Sequence, residues 1–529
     1  MVQTKKCQVF FSAVKSFLSP RHQAVRKAAD HETEEQYALV LINQGRLQEA
    51  EAIYRGLIAS GTSNHKVYGN LAAICGMSSR AHEMLDLLRK ALELKPDFAD
   101  AHNNLGYALK ELGDFKAAIA SCNKALDLKP HYPEAQNNLG AALYELGDIR
   151  EAINSLKKAI ELNPCYPEAY NNLGNALQAQ GSLSAAIASY NKALELNPNY
   201  PEAHWNSSLA MLLAGNYKNG WQKYEWRDKR NSEVSMPHAK PACSLWDGSS
   251  LGPNDRILLV SEQGLGDTLQ FMRYALVLKE QGASVSVCAQ PKLHTLIQAS
   301  GIDHSPLTPQ QANKISEGKW IPLLSVARYL QVSPNNPVVV RPYIKTAKAL
   351  KVKWESILST TRKPIIGLNW QGNPETEKAG LRGRSLRLEA FSRIATNDSI
   401  ALLSLQKGFG SEQLEKCSFR DCFVGCQQQI NESWDFLETA AIIANCDLII
   451  TSDTSVAHLA AGMGKVTWLL LHKVPDWRWG LEGDTSFWYP SMRLFRQRES
   501  GNWDDVLQRV EEALRKRFLG TVVTDNYGN

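Results

Sequence analysis

ADAHNNLGYALKELGDFKAAIASCNKALDLKPHY, residues 99–132, is one unit of an internal repeat with a period of 34 residues. The string NNLG returns at 103–106, 137–140 and 171–174. A fixed period of this length predicts a repeat architecture for residues 31–230. Six units fit the frame, beginning near residues 31, 65, 99, 133, 167 and 201. Prolines and glycines keep the same interval, at Pro96, Pro130, Pro164 and Pro198 and at Gly113, Gly147, Gly181 and Gly215.

Each unit contains two stretches whose apolar residues have helical spacing. In the unit quoted, Ala101, Leu105 and Leu109 share one face of a first helix. Gly113 can end that helix in the left-handed conformation, and Pro130 cannot continue the second one. A single helix pair cannot bury its apolar face, so the units must stack into a solenoid with a groove. The pattern resembles the tetratricopeptide repeat, which implies an all-α N-terminal region.

The copy at 65–98 departs from the pattern. Ser79 stands where the turn glycine is expected, and Met84 replaces a small alanine. We therefore expect looser contact between the two helices of this unit.

Length and charge narrow the possible functions. A chain of 529 residues is too long for one hydrophobic core. Its net charge of +5 is small and dispersed, which argues against a nucleic-acid partner. Residues 1–30 form a mildly basic lead-in whose apolar run, CQVFFSAV, is too short for a signal peptide. No stretch approaches the length of a membrane span, so we expect no integral membrane segment.

The ten cysteines do not form a metal-binding pattern. Cys417, Cys422 and Cys426 cluster without a C-x-x-C pair, and no histidine lies nearby at zinc-ligand spacing. We expect no metal, no cofactor and a reduced, cytoplasmic compartment.

The second half of the chain has an alternating strand and helix pattern. After a polar linker at 231–254, two lobes are expected at 255–350 and 363–500, followed by a C-terminal helix at 502–518 that could return across the first lobe. The alternation predicts parallel sheets covered by helices, hence two Rossmann-like lobes facing each other in the arrangement called GT-B. A helix is expected at 268–281, and strands are expected at 256–263, 283–290, 363–370, 400–406, 422–426, 447–453 and 466–471.

Ligands of open α/β sheets bind at the carboxyl ends of strands, near the switch in strand order. Loop 452–458, SDTSVAH, joins an expected strand to an expected helix, and the helix N-terminus with Thr454 and Ser455 can hold a diphosphate. His458 follows one turn later on a similar face. The alternative is that Asp453 is an N-cap and His458 a packed core residue.

Loop 371–387, QGNPETEKAGLRGRSLR, is long and basic, as functional loops often are. A solvated basic loop is the alternative. Gln406 and Lys407 leave the neighbouring strand at the same sheet edge and could reach a base, ribose or phosphate. The candidate contacts to a nucleotide sugar in these two loops are Asn373, Arg384, Ser385, Gln406 and Lys407.

The first strand-to-helix turn of the first lobe reads GLGD, with Gly264, Gly266 and Asp267. Position 269 is leucine, so the G-x-G-x-x-G dinucleotide fingerprint is incomplete. Glycine lets a substrate approach the backbone, and Asp267 could remove a proton from an attacking hydroxyl. N-capping of the helix is the alternative role for Asp267.

Together these segments resemble the family 9 glycosyltransferases, the group that includes the ADP-heptose heptosyltransferases of lipopolysaccharide synthesis. The match is strongest to a bacterial subgroup in which that module follows tetratricopeptide repeats. It rests on SEQGLGDTLQFMRY (261–274), IGLNWQGNP (366–374), SLQKG (404–408), LIITSDTSVAHLAAGMG (448–464), VPDWRWG (474–480) and WYPSMRLFRQ (488–497).

The resemblance implies metal-independent transfer from a nucleotide-diphosphate sugar. Asp267 would correspond to the catalytic carboxylate. The diphosphate loop would comprise Asp453, Thr454, Ser455 and His458. Heptosyltransferases commonly have D-T-G here, so Ser455 is a departure, and their lysine after the first strand of the lobe has only Lys378 and Arg384 as candidates.

A row of asparagines recurs in the first helix of each unit, at Asn70, Asn104, Asn138, Asn172 and Asn206. Side-chain amides both donate and accept, which suits an extended peptide backbone. Protein O-linked N-acetylglucosamine transferases have a similar asparagine ladder, so a protein or peptide acceptor in the groove is expected by analogy. The alternative is that asparagine is only the usual repeat residue.

Two hypotheses follow. In the first, the chain is a glycosyltransferase whose acceptor is recruited by the repeats. In the second, it is a catalytically silent scaffold for protein–protein interaction with a nucleotide-binding GT-B module. The enzyme hypothesis requires the stretches around Asp267 and Asp453 to meet at one pocket.

Overall fold

The computed structural model describes residues 20–230, 237–339, 341–374, 377, 383–395 and 399–518, with side chains described from residue 32 onward. The chain forms two compact units. The first comprises Met1–Leu177 with Glu195–Pro198, and the second comprises Gln178–Leu194 with Asn199–Asn529. The division falls inside the repeats, upstream of the expected linker at 231–254. Residues 1–19 of the basic lead-in lie outside the described residues, and the first described helix begins at Pro20.

The N-terminal region is all-helical, as the repeat period predicts, and consists of paired helices. The pairs follow the 34-residue frame closely. Their bounds are α1 Pro20–Asn43, α2 Leu47–Ala59, α3 His65–Met77, α4 Ala81–Leu94, α5 Ala99–Glu111, α6 Phe115–Leu128, α7 Pro133–Leu146, α8 Ile149–Leu162, α9 Pro167–Gln180, α10 Leu183–Leu196, α11 Pro201–Leu213 and α12 Tyr217–Tyr224.

Two glycines show how the helices of a pair are connected and packed. Gly147 has φ +100°, and its N–H bonds to the carbonyls of Leu143 and Tyr144 at the end of α7. Gly106 in α5 lies against α6, where an added Cβ would meet Cys122 Sγ and would lie 3.1 Å from the carbonyl oxygen of Ala118. The helices of a pair therefore approach at backbone distance.

The departing copy keeps the backbone turn without its glycine. Ser79 has φ +57°, in the left-handed region, and Met84 is buried with 3% of its surface exposed. The repeat frame thus forces a serine into a conformation that glycine adopts freely.

The first sheet of the second unit has four parallel strands in the order β1-β4-β2-β3. Strand order reverses beside β2, which begins at Arg256 and ends at Val260. The bounds are β1 Ser244–Leu245, β2 Arg256–Val260, β3 Ser284–Cys288 and β4 Lys319–Pro322, with α13 Leu265–Phe271, α14 Tyr274–Glu280, α15 His294–Ala299, α16 Pro309–Ala312, α17 Val326–Tyr329 and α18 Lys348–Leu358.

The second sheet has five parallel strands in the order β6-β5-β7-β8-β9. Its order switches between β5 and β7, where ligands of such sheets bind. The bounds are β5 Ile365–Asn369, β6 Ala401–Ser404, β7 Leu448–Ser452, β8 Thr467–Leu471 and β9 Met492–Arg496, with α19 Ser392–Ala395, α20 Gln427–Glu432, α21 Phe436–Ala444, α22 Ser455–Gly462 and α23 Trp503–Phe518.

Both faces of the second sheet are buried. Leu448 and Ile450 of β7 join one apolar cluster, whereas Ile449 between them joins another. Side chains alternate across a strand, so β7 must be apolar throughout. The C-terminal helix α23 adds Val506 and Val510 to the cluster of Leu448, so it packs on the second sheet and does not return across the first lobe as expected.

Two other expectations about elements were wrong. Residues 422–426 form no strand: Phe423 makes one isolated bridge to Leu402, between a 3-10 turn at Arg420–Cys422 and α20. The expected helix 268–281 is divided into α13 and α14, and Arg273 at the break bonds back through Nε to the carbonyl of Gln270, 2.8 Å away.

The last helix pair, α11 and α12, belongs to the second compact unit together with both sheets. Trp221 of α12 is buried, and its indole N–H donates to the carbonyl of Val332 at 2.8 Å. The same indole packs edge-on against Trp477, with ring centroids 5.3 Å apart. The final repeat is therefore part of the α/β core.

We predict that Ser79→Gly stabilises the repeat region. Glycine removes the cost of the left-handed conformation, so the free energy of unfolding should rise by about 1 kcal/mol. Thermal or urea unfolding measures the change. The matched control is Ser78→Gly at the preceding residue, where φ is −105° and glycine should be neutral or destabilising. Equal effects of the two substitutions would contradict the prediction.

Candidate functional site

The loop after β7 lies at the order switch of the second sheet. Thr454 is the N-cap of α22 but makes no capping bond with its side chain. Its hydroxyl instead donates to Oδ1 of Asn369, at the end of β5, over 2.7 Å. The hydroxyl thus joins the two strands that flank the switch, and Ser455 becomes the first residue of the helix. No side chain in the described part of the chain caps this helix N-terminus, which carries partial positive charge.

A second feature of this loop is an unsatisfied polar atom. Ser452 is fully buried, and its Oγ has no hydrogen-bond partner among the described residues. Buried polar groups are nearly always paired with protein, water or a ligand. The serine oxygen is therefore an unfilled hydrogen-bonding position within the described residues.

Arg384 of the long basic loop reaches the same place. Its Nη1 donates to the backbone carbonyl of Asp453 at 3.0 Å. The guanidinium lies over Gly372, where an added Cβ would come within 2.6 Å of Nη2. The glycine after β5 therefore makes room for a cation beside the α22 N-terminus. Lys378, the other candidate cation in this loop, lies outside the described residues.

The carboxylate of Asp453 is buried, with 9% of the residue exposed. Its Oδ2 accepts a hydrogen bond of 2.9 Å from the indole N–H of Trp479. Burial, and secondly the negative charge of Asp476, raise the pKa of Asp453 to about 6. A carboxyl with this pKa changes protonation near neutral pH.

Asp267 lies in the first turn of α13. Its Oδ2 accepts a 2.9 Å bond from the backbone N–H of Gly264, so the capping role weighed for it is present. Its Oδ1 forms an ion pair with the guanidinium of Arg478. Burial raises the pKa of Asp267, and the positive charge of Arg478 opposes that shift.

Arg478 is the centre of a buried ionic cluster. Its Nε donates to Oε1 of Gln270 at 2.6 Å, and its Nη1 donates to Oδ1 of Asp476 at 2.8 Å. Although burial works against its charge, the carboxylates of Asp476 and Asp267 raise the pKa of Arg478, so it stays protonated. The other amide atom of Gln270, Nε2, is buried without a partner among the described residues.

Two consecutive residues thus connect the two candidate loops. Arg478 contacts Asp267, which follows β2 of the first sheet, and Trp479 contacts Asp453, which follows β7 of the second sheet. The structure brings together the stretches around Asp267 and Asp453, which lie far apart in the sequence. Neither carboxylate is on a remote surface.

The glycine turn after β2 lies directly against α22. An added Cβ on Gly266 would be 3.0 Å from Cδ2 of His458 and 3.6 Å from Cα of Ser455. His458 is buried, and its Nδ1 is 2.9 Å from the hydroxyl of Tyr489. Burial, and then the charges of Arg478 and Arg273, hold the pKa of His458 well below its usual value, so the ring is neutral. His458 therefore occupies the joint between the two loops as a packed, hydrogen-bonded residue.

Several candidate residues build the wall of the site. Gln406 accepts from Asn369 Nδ2 and from two backbone N–H groups through one oxygen, and its own NH₂ donates to the carbonyls of Gln371 and Phe409. Its side chain is committed to protein contacts. Lys407 donates to the carbonyl of Ile430, and burial lowers the pKa of Lys407 to about 8.

Two more candidates shape the basic loop. Ser385 Oγ accepts from the backbone N–H of Gly372 at 3.0 Å and bonds to the carboxylate of Glu377. Asn373 is exposed, and its carbonyl oxygen accepts from the N–H of Glu377. These contacts order the described part of the loop around Arg384.

The repeat asparagines form a ladder between neighbouring units. Asn138 Nδ2 donates to Oδ1 of Asn103, and Asn172 Nδ2 donates to Oδ1 of Asn137, both at 2.9 Å. The acceptors Asn103 and Asn137 are buried, whereas the donors are half-buried. Asn104 accepts from Asn103, Asn70 donates to the hydroxyl of Tyr54, and Asn206 is half-buried. Asn138 and Asn172 therefore each use one amide proton in a hydrogen bond that links neighbouring repeats.

Sequence reasoning missed Arg478, Trp479 and Tyr489 as parts of the site. The tryptophan-rich string VPDWRWG carries part of the family resemblance, and it also contains the residues that join the loops. An arginine flanked by two tryptophans, after a buried strand, was the available signal. His472, at the end of β8, was also missed, and burial lowers the pKa of His472 to about 4.

Other features of the described residues lie apart from this site. An open polar cavity of about 280 Å³, lined in part by Ser244, Arg256 and Lys319, lies at the amino ends of strands of the first sheet. The described residues contain no cluster of three or more side chains suited to a metal ion. Within the same residues, no helix is both long and apolar enough to cross a bilayer.

The comparison with protein families identifies the repeats. The model of the TPR repeat matches residues 85–113, 106–147, 142–181 and 174–215. Residues 85–215 are tetratricopeptide repeats. Repeats of this kind indicate a surface for protein or peptide partners.

Two curated relatives are similar to different lengths of the chain, one over a short segment and the other over more than half. The Hsp70-Hsp90 organizing protein of Triticum aestivum is 37% identical over 77 residues, 15% of this chain and 13% of that protein. Protein FlbA of Caulobacter vibrioides is 25% identical over 331 residues, 58% of this chain and 53% of that protein. The chain thus spans about half of the Caulobacter protein and a small part of the wheat protein.

A solved structure with a similar helical region is YrrB, described as a TPR protein with an unusual peptide-binding site. It is 22% identical, with a TM-score of 0.28, and the match covers 35% of this chain and 96% of YrrB.

We predict that Asp453→Asn stabilises the protein at neutral pH. Because the pKa of Asp453 is raised from 3.8 to about 6, the folded state binds its proton more tightly than the unfolded state. Stability contributed by that proton is lost as the pH rises from about 4 to about 6, and the loss amounts to about 2–3 kcal/mol above pH 6. Asparagine remains neutral and should remove this dependence.

Thermal unfolding of Asp453→Asn and the wild type between pH 4 and pH 8 measures the difference. It should be small near pH 4 and reach its full value by pH 7. Asp421→Asn, at an exposed position, is the control. A difference that does not change with pH would contradict the assigned direction of the shift.

Proposed function

We propose that the chain is a metal-independent glycosyltransferase that moves a sugar from a nucleotide-diphosphate sugar to an acceptor hydroxyl. The observation that carries the proposal is the meeting of Asp267 with the α22 loop through Arg478 and Trp479. The meeting point combines a carboxylate, an uncapped helix N-terminus and the cation Arg384. This is the set of groups that sugar transfer from a diphosphate leaving group requires.

The α22 loop would bind the diphosphate. Backbone N–H groups at a helix N-terminus point toward an anion and are favoured by the helix dipole. Arg384 lies at the carbonyl of Asp453 and would add a charge-assisted bond to a phosphate oxygen. The buried Ser452 hydroxyl and the Gln270 amide, unpaired among the described residues, would gain partners from a polar ligand. The added bonds would offset the cost of leaving these atoms buried and unpaired.

Asp267 would take the proton of the acceptor hydroxyl. The acceptor oxygen would then form a bond to the anomeric carbon while the carbon–oxygen bond to the diphosphate breaks, and the diphosphate would leave with the electron pair. A carboxylate has about four acceptor positions, and Gly264 and Arg478 use two of them, so a hydroxyl can still donate to it. Stabilisation of the diphosphate charge by fixed donors would supply the larger part of the rate.

The repeats would recruit the acceptor. The ladder amides are half-buried and present a polar row along the first helices of successive units. Such a row can bond to the backbone of an extended peptide whatever its sequence. The acceptor in this proposal is a protein or peptide.

The scaffold hypothesis has one specific observation in its favour. Asp267 is engaged twice within the protein, by its own helix N-terminus and by Arg478. A carboxylate whose only task is to hold the two loops together would look the same. Both the glycosyltransferase and the scaffold would bind a protein partner, but only the glycosyltransferase would turn over a nucleotide sugar.

We predict that Asp267→Asn abolishes most transfer while donor binding persists. A general base contributes about a hundredfold or more to the rate, so turnover with a panel of nucleotide-diphosphate sugars should fall by at least that factor. Product formation is followed by mass spectrometry, and donor binding by calorimetry. Bound donor with no turnover in either protein would support the scaffold and end the enzyme proposal.

We predict that Arg384→Met weakens nucleoside-diphosphate binding by about tenfold, the loss expected for one charge-assisted hydrogen bond. Calorimetric titration with UDP, GDP and ADP measures the affinity. Arg387→Met is the matched control, because Arg387 belongs to the same loop and is exposed. Equal affinity of the two variants would remove Arg384 from the phosphate site.

We predict that replacing Asn138 and Asn172 together by alanine raises the KM for the acceptor severalfold, because each loses a donor to the peptide. Hydrolysis of the donor without acceptor should not change. Asn154→Ala, on the exposed side of α8, is the control. An unchanged KM would assign the ladder to stacking of the repeats alone.

A further inference from the structure

A buried ion pair is one of the contacts between the end of the repeat region and the first sheet. Arg227 follows α12 in the 3-10 turn Glu225–Lys229 and has only 4% of its surface exposed. Its Nε and Nη2 donate to the two carboxylate oxygens of Glu262, each over 2.8 Å. Glu262 is also buried, with 1% exposed, and lies two residues after the end of β2. A two-bond contact of this kind fixes direction as well as distance.

This ion pair occupies the order switch of the first sheet. Glu262 also accepts from the backbone N–H of Leu324 after β4, at 3.0 Å, and Arg227 donates to the hydroxyl of Ser325 at 2.6 Å. Ligands of open α/β sheets bind at this kind of crevice between strand ends. Here a side chain from the last repeat fills it.

The next residue, Gln263, has an unusual backbone. Its φ is +60°, in the left-handed region that side chains other than glycine rarely adopt. Its amide Nε2 donates to the hydroxyl of Tyr224 at 3.3 Å, and its carbonyl accepts from Gln290 at 3.4 Å. Strained conformations persist where surrounding contacts determine them, and they are concentrated at functional sites. Tyr224, the last residue of α12, is one of those contacts.

The strained residue directs the chain into the candidate site. Gly264 follows it as the N-cap of α13, and Gly264 N–H bonds to Asp267. Asp267 pairs with Arg478, and Gly266 lies against His458. The conformation of Gln263 therefore determines where Gly264, Gly266 and Asp267 lie relative to Arg478 and His458.

We infer that Tyr224 and Arg227, at the end of the repeat region, are positioning residues of the candidate site. They hold Glu262 and Gln263 so that the Gly264–Asp267 turn meets Arg478. The recruiting repeats and the chemistry thus share side chains, and a partner that displaces α12 would change the site without touching it. The expected effect on sugar transfer rests on the proposed function. The expected effect on the position of the Gly264–Asp267 turn does not.

Two conservative pairs of variants test the inference in the full chain. Tyr224→Phe keeps the ring and removes the hydroxyl that accepts from Gln263, and Tyr217→Phe removes the hydroxyl of another buried tyrosine on the same helix. Gln263→Gly releases the left-handed strain, and Gln331→Gly releases it at an exposed glutamine with φ +51° outside the site. Thermal stability, amide hydrogen exchange of residues 264–270 and sugar transfer are measured for each variant.

The inference expects Tyr224→Phe and Gln263→Gly to speed amide exchange in 264–270 and to lower transfer by about fivefold, the size of one lost hydrogen bond. Gln263→Gly should do so although its thermal stability equals or exceeds that of the wild type. The two controls should leave exchange and transfer unchanged. A merely structural role would lower activity only in proportion to lost stability.

The outcomes separate the two proposals. Wild-type exchange in 264–270 for both Tyr224→Phe and Gln263→Gly would overturn the inference whether or not the protein transfers sugar. If the wild type transfers no sugar, the proposed function fails, and the exchange comparison still decides the positioning role. Arg227→Met adds a stronger perturbation and should exceed Tyr224→Phe in both readouts where it folds.

Discussion

The buried guanidinium of Arg478 constrains how the candidate site can be arranged. Removing a charge from water costs several kcal/mol unless partners neutralise it and accept its hydrogen bonds. Arg478 meets that need with Asp476 from its own segment and with Asp267 and Gln270 from α13. Because Asp476 follows β8 of the second sheet and Asp267 and Gln270 follow β2 of the first, these segments cannot separate at this point without exposing or unpairing the charge.

The neighbouring contacts extend the same constraint. Trp479, next in sequence, binds Asp453, and Gly266 allows α13 to approach His458. The Asp453 loop carries a raised carboxyl pKa and a buried hydroxyl without a partner among the described residues. Both features cost stability in the absence of a ligand. Sites that bind charged ligands commonly carry such costs, because the ligand later offsets them.

Much of the fold followed from the sequence because it depends on periodicity. The 34-residue spacing placed Gly147 at the end of α7, where it adopts φ +100°, and the apolar runs predicted the strands of both sheets apart from β1, β4 and β9. The strand predicted at 422–426 was wrong because the adjacent apolar residues Phe423 and Val424 are typical of a strand. The sequence does not reveal the 3-10 turn that precedes them. The sequence does not reveal the break after Phe271, because Arg273 supports it through a tertiary bond to the carbonyl of Trp488 in addition to a local bond to the carbonyl of Gln270.

The site was less predictable for a physical reason. Asp267, Asp453 and Arg384 could be selected because charged residues at strand ends are rare enough to notice, but their roles depend on partners distant in sequence. The sequence suggested that Gln406 could reach a ligand. In the structure its amide is hydrogen-bonded to Asn369, Gln371 and Phe409, in the loops that follow β5 and β6. Arg478 lies in a string of aromatic residues, and only tertiary structure reveals that it faces two carboxylates.

The membership of the last helix pair in the α/β unit has an evolutionary consequence. Repeat units that contact only similar neighbours can change in number by duplication or loss, as in other repeat proteins. The pair that begins at Pro201 instead carries Trp221 and Arg227, which are fitted to Val332 and Glu262. A gene fusion or recombination that joins a foreign repeat array to these sheets would have to keep α11 and α12 with the sheets and make its junction upstream of Gln178, where the second compact unit begins.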